Sequence, residues 1–275
     1  MQTIDFHSHL LNPNVSFSRL YDKVAISLFA KKLGVDKNEL INRKYDAFVE
    51  SFINNIKTSK HIKKSVILPV DAKIDIKGDE IHRDKTVCSS NEDVYKEYQK
   101  YPNEIIPFFS INPNRKDALD LIDKYASLGF KGAKFLQNYW DIDINDKKYS
   151  KYFEKIKSYN LPIIIHSGSE YAISSNPKYE KIEVANQAIE IGCKVVLAHV
   201  EDLAKNQKQI HHKLLFGTDY PVPFSILFSH NSLGLKKRLE LEKIQNPLDR
   251  YISFFNEYFE EDSPVYNNWQ KLIKE

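Results

Sequence analysis

Short apolar runs of strand length alternate along the chain with stretches whose apolar residues recur at helical spacing. The runs fall at 3–8, 65–70, 105–111, 130–136, 162–167, 194–199 and 213–218. Repeated β-α units of this kind predict a parallel sheet with helices packed outside it. Helix boundaries are legible between the runs. Asp36-Lys-Asn-Glu39 reads as a capping box. Asn91 is placed to cap a helix that reaches Tyr101 and stops at Pro102. A helix over 116–128 is closed by Gly129, and helices near 150–159 and 178–191 follow, the second closed by Gly192. Beyond the last run the pattern is helical near 234–245, 247–260 and 264–274.

Seven runs are present where a full barrel of this type has eight strands. The 275 residues suit one α/β barrel, which takes ~250. With no internal repeat, low-complexity tract or linker, residues 1–275 are expected to form a single domain. The stretch from Leu10 to Lys64 is too long for an ordinary βα connection and starts where the first run ends, so a lid-like insertion is expected at about 10–64. Between His199 and Lys213 the polar residues 201–212 suit one short helix, whereas a βαβ unit takes ~30 residues. The expected fold is therefore α/β: a distorted (β/α)8 TIM-type barrel with the seventh strand missing or truncated. Either it closes with seven strands or it keeps a gap beside the last one.

Composition narrows the function. Hydrophobic residues make up 42% of the chain, with 16 Phe and 16 Tyr, enough for a sizeable core. A net charge of +3 and lysine-rich stretches such as 60–64, with no basic stripe interleaved with aromatics, argue against nucleic acid. Cys88 and Cys193 lie far apart without CxxC spacing, which fits a reducing compartment. No apolar run approaches the ~20 residues that span a bilayer, and the amino terminus runs straight into a strand containing Asp5. A soluble, cytoplasmic protein is expected.

Chemistry-bearing residues recur at the polar ends of the apolar runs: His7 and His9, His166, His199 and Asp219. Barrel enzymes place their chemistry at the carboxyl ends of their strands, and imidazole plus carboxylate is the usual shell of catalytic zinc. Each residue alone has a bland reading, as a core histidine, a strand end or a turn aspartate. Four strands ending this way favour a metal site. On strict alternation Asp5, His7 and His9 share the inner face, with Ile4, Phe6 and Ser8 outside. Asp5 is then placed to reach a ligand imidazole. Lys134 shares the inner face of its run with Gly132, where it either bridges metals as a carbamate, holds an anionic substrate group, or simply reaches water at the strand end.

Several segments resemble one family in order: Ile4-Asp-Phe-His-Ser-His9, Tyr101-Pro-Asn-Glu-Ile-Ile-Pro-Phe108, Gly129-Phe-Lys-Gly-Ala-Lys134, Leu161-Pro-Ile-Ile-Ile-His-Ser-Gly168, Leu197-Ala-His199 and Phe216-Gly-Thr-Asp-Tyr-Pro221. The chain resembles the metal-dependent amidohydrolase superfamily, in particular the amidohydrolase-2 branch that includes enzymes like aminocarboxymuconate-semialdehyde decarboxylase. The resemblance implies one or two divalent ions, Zn2+ or Mn2+, on His7, His9, His166 and Asp219, with His199 close to bound water or substrate. It implies hydrolysis of an amide, ester or lactone in a small, anionic molecule, with Asp219 and His199 catalytic and Lys134 binding substrate. Non-oxidative decarboxylation of a small aromatic or dienoic acid is the alternative, and barrels of this kind often form homodimers. The segment between His199 and Asp219 departs from the family, which has a helix, a strand and a helix there. An inactive barrel kept as a binding protein is the reading that this departure motivates.

Overall fold

A computed structural model describes residues 2–14, 30–83, 86–168, 175–199, 208–222 and 233–274. The strands are β1 (Thr3–Ser8), β2 (Ile62–Ile67), β3 (Lys73–Ile74), β4 (Glu80–Ile81), β5 (Ile105–Pro107), β6 (Phe109–Ser110), β7 (Ala133–Phe135), β8 (Pro162–Ile165) and β9 (Lys194–Leu197). The main helices are α1 (Lys37–Arg43), α2 (Tyr45–Thr58), α3 (Asn91–Lys100), α4 (Ala118–Ser127), α5 (Gln137–Trp140), α6 (Ser150–Ser158), α7 (Asn186–Ile191), α8 (Leu235–Leu241) and α9 (Pro247–Phe255). β1, β2 and β5 form one parallel sheet, and β6 to β9 another, while β3 and β4 make a small antiparallel hairpin. β5 and β6 are one run of chain interrupted at Phe108, so the wall follows sequence order from β1 to β9.

Two apolar clusters define the two sides of that wall. Ile163 and Ile165 of β8 join the layer under the helices, with Phe52 of α2, Ile122 of α4 and Phe153 of α6. Ile164 faces the other way, with Ile4, Phe6, Val66, Ile106, Phe108 and Ala198. Residues of β1, β2, β5 and β8, with Val196 of β9, meet in this second cluster, which is the barrel interior. Gly132 belongs there because a Cβ on it would lie 2.3 Å from the Phe108 ring. Trp269, Leu272 and Ile273 also pack into the interior. They enter at the amino-terminal end of the strands, where the Thr3 hydroxyl donates to Tyr266 O and Lys63 lies over the Trp269 ring. The carboxyl-terminal segment thus plugs the bottom of the barrel.

The structure changes several sequence expectations. Residues 213–218 are not a regular strand. The segment 214–220 instead runs beside β1, joined by Phe6 N–H to Phe216 O (2.9 Å), Asp219 N–H to His7 O (2.7 Å) and His9 N–H to Tyr220 O (2.6 Å). Among the described residues no strand lies between β9 and this segment; residues 200–207 fall outside them. The run expected at 65–70 begins and ends three residues earlier, and the one at 105–111 splits at Phe108. Ser90, not Asn91, caps α3, in a box with Asp93. The helix expected from 178 forms only from Asn186, after short 3-10 turns, and 264–274 is likewise two 3-10 turns.

The long connection after β1 divides into parts. α2 buries Phe48, Phe52 and Ile56 in the helical layer, with Phe52 stacked on Tyr220 at 4.7 Å. Residues 15–29, part of the lid-like insertion expected at about 10–64, lie outside the described residues. No helix among the described residues is long and apolar enough to cross a membrane.

Candidate metal centre

Three ligand-type atoms converge at the carboxyl end of β1. His7 Nε2 lies 3.2 Å from His9 Nε2, and Asp219 Oδ1 lies 3.4 Å from the first and 3.6 Å from the second. Tetrahedral ligands at ~2.1 Å from an ion stand ~3.4 Å from one another, so the trio fits a small divalent metal. Orientation is also set. The Nδ1 of His9 donates to Leu68 O at 2.7 Å, because a carbonyl only accepts, which leaves the Nε2 lone pair toward the trio.

His166 and His199 adjoin the trio without belonging to it. The His199 ring lies 5.1 Å from that of His7 and 4.8 Å from that of His166. Of the four ligands implied by resemblance, three therefore come together and His166 stands behind them, next to His199. The ends of β8 and β9 are tied by the Ser167 hydroxyl, which donates to Ala198 O. His199 adopts φ 59° and Asp219 φ 54°, left-handed conformations that nonglycine residues enter at a cost. Such backbone is held only where its surroundings over-determine it.

Electrostatics keep all four imidazoles neutral. Burial pushes His9 down to about 3, His166 to about 2 and His199 to about 3, and it depresses His7 strongly; the charge of Lys134 adds to the effect on each. Neutral imidazoles are the form that binds metal. Lys134 is 1% exposed, so it points into the barrel mouth and not to bulk water. The Asp219 side chain is 33% exposed, which leaves it open to water or substrate.

Asp5 sits elsewhere than strict alternation placed it. The β1 pairing slips between Asp5 and Ser8, and this irregularity turns His7 inward even though Phe6 before it is also inside. Asp5 faces the helical side. It is fully buried and accepts from His7 N–H (3.2 Å), Thr218 N–H (2.9 Å), the Ser8 hydroxyl (2.7 Å) and the Thr218 hydroxyl (2.7 Å), not from an imidazole. Burial raises its pKa to about 6, against the lowering effect of these bonds. Sequence reasoning passed over Thr218 and Ser8, although the Gly-Thr-Asp turn was a signal for the first. It also passed over Gln137, whose amide donates to His166 O at 2.6 Å.

A family model described as Amidohydrolase (Amidohydro_2) matches residues 4–211. No curated protein matches. Among solved structures, the uncharacterized TIM-barrel protein Bb4693 from Bordetella bronchiseptica is 16% identical, with TM-score 0.59 over 99% of this chain and 98% of that one. 5-Carboxyvanillate decarboxylase LigW from Sphingomonas paucimobilis is 11% identical, with TM-score 0.59 over 99% and 98% of the two chains. The apo form of IDCase from Metarhizium anisopliae is 14% identical, with TM-score 0.58 over 98% and 96%. These likenesses concern the fold, a TIM barrel.

Proposed function

Since this chain belongs to the amidohydrolase family, a family of metal-dependent enzymes, we propose that it uses a divalent metal to hydrolyse an amide, ester or lactone in a small carboxylate-bearing molecule. The observation that carries this reading is the convergence of His7, His9 and Asp219, with Asp219 still open to water. His7, His9 and Asp219 would hold the ion, with His166, at the end of β8, as a further ligand. A bound divalent metal would acidify its water and polarise a substrate oxygen. Asp219 takes a proton from the attacking water and returns it to the leaving group. His199, neutral at physiological pH, donates a hydrogen bond to the oxygen on which charge develops. Lys134 supplies a positive side chain among neutral imidazoles and holds a substrate carboxylate there.

Decarboxylation is the second reading. The Lys134 charge favours a carboxylate at the metal itself, and the fold is shared with 5-carboxyvanillate decarboxylase. Labelled water separates the two reactions. A hydrolase places one 18O atom in the carboxylate it forms, whereas a decarboxylase releases carbon dioxide and leaves the organic product unlabelled. The chain, loaded with Zn2+ or Mn2+, is assayed this way against carboxylate-bearing amides, lactones and aromatic acids. Asp219→Asn is expected to lose activity by about 10²–10⁴-fold while melting as the unsubstituted chain does. Retained activity in that variant would remove Asp219 from the chemistry.

A further inference from the structure

Among the described residues, the segment that carries Asp219 has β1 on one side and no strand on the other. The Asp219 N–H bonds β1 at His7 O, 2.7 Å away. Tyr220 also bridges Ser8 of β1 in parallel register, its carbonyl accepting His9 N–H, and the N–H groups of Thr218 and Tyr220 remain to be satisfied. Both are satisfied by side chains. Asp5 Oδ1 accepts Thr218 N–H at 2.9 Å, and the Thr218 hydroxyl accepts Tyr220 N–H at 3.0 Å while donating to Asp5 Oδ2 at 2.7 Å.

The same carboxylate also holds the other half of the trio. Asp5 Oδ1 accepts His7 N–H at 3.2 Å, and Oδ2 accepts the Ser8 hydroxyl at 2.7 Å, across the irregular end of β1 that turns His7 inward. We propose that Asp5 is a positioning residue which, with Thr218, fastens the Asp219 turn to β1 and so sets Asp219 against His7 and His9. The inference rests on the reading of those three residues as metal ligands. It also accounts for how Asp219 keeps φ 54°.

A double-mutant cycle tests it. Chelator-stripped full chain is titrated with Zn2+ against a chromophoric competitor, and with Co2+ while its visible spectrum is recorded, for the unsubstituted protein, Asp5→Ala, Asp219→Ala and the pair. Asp5→Ala is expected to weaken Zn2+ by about 10–100-fold and to shift the Co2+ bands, as loss of a ligand's support does. In the Asp219→Ala background the same substitution should cost several-fold less, because only its hold on His7 remains once the coupled residue is gone. Asp5→Asn, which keeps the shape and can re-form the bonds, is expected to restore most of the affinity. Unchanged affinity in Asp5→Ala, or an equal loss in both backgrounds, would overturn the proposal. Should Asp5→Ala not fold, Thr218→Val enters the same cycle with the same criterion. Absence of binding in the unsubstituted chain would instead bring down the metal reading itself.

Discussion

Gly217 offers a direct probe of how closely the Asp219 segment sits against β1. A Cβ built there would lie 2.7 Å from His7 Cβ, 3.3 Å from His7 N and 3.5 Å from His7 Cα. Carbon atoms at rest stand ~3.5–4.0 Å apart, so Gly217→Ala asks the two segments to separate by about 1 Å. None of the opposing atoms is the end of a flexible side chain, and the backbone on both sides of Gly217 is bonded to β1 through Phe216 O and Asp219 N–H. Backbone must therefore move. Overpacking of this kind costs about 1–3 kcal/mol, or roughly 2–10 °C in Tm for a chain of this size. The larger effect falls on the metal, because ligand distances tolerate only about ±0.2 Å. Zn2+ affinity is expected to fall by about 10–100-fold while the protein stays folded. Thermal melts and a competitive Zn2+ titration measure the two effects, with Gly234→Ala as control, since nothing lies within 4 Å of that position. Gly217→Ala with the affinity and Tm of the unsubstituted chain would refute the placement of Asp219 against His7.

The metal-stripped protein should lose stability as pH falls from about 7 toward 4. The histidines' folded pKa values, about 3, 2 and 3 for His9, His166 and His199, lie below their ordinary 6.5, so unfolding takes up protons in this window. Asp5, raised from 3.8 to about 6, opposes the trend with a single proton, and the histidines prevail. Urea midpoints at pH 7.5 and pH 5 check the sign; a higher midpoint at pH 5 would contradict the burial of neutral imidazoles. Trp269→Ala removes the plug from the barrel interior and is expected to cost about 3–5 kcal/mol. A melt within about 2 °C of the unsubstituted chain would mean that the carboxyl-terminal segment does not support the barrel.

The sequence by itself determined the class of fold and the identity of the candidate chemistry. Continuous apolar runs such as Leu161–Ile165 and glycine stops such as Gly129 and Gly192 are local signals, read from neighbours in the chain, and they place β8, α4 and the end of α7 within a few residues. His7, His9, His166, His199 and Asp219 could be picked out because each follows an apolar run. Their mutual arrangement could not. Alternation set Asp5 beside His7 on one face, but the slip in β1 depends on pairing with β2 and on contacts with Thr218, which lies 213 residues away in the chain. Likewise 213–218 has the composition of a strand, yet it meets β1 through a few irregular bonds and forms no regular ladder. Local sequence fixes what a segment can become, and long-range partners select among those forms. The Asp5 carboxylate and the plug around Trp269 are such partners, so the tertiary structure alone decided how Asp219 is held beside two histidines.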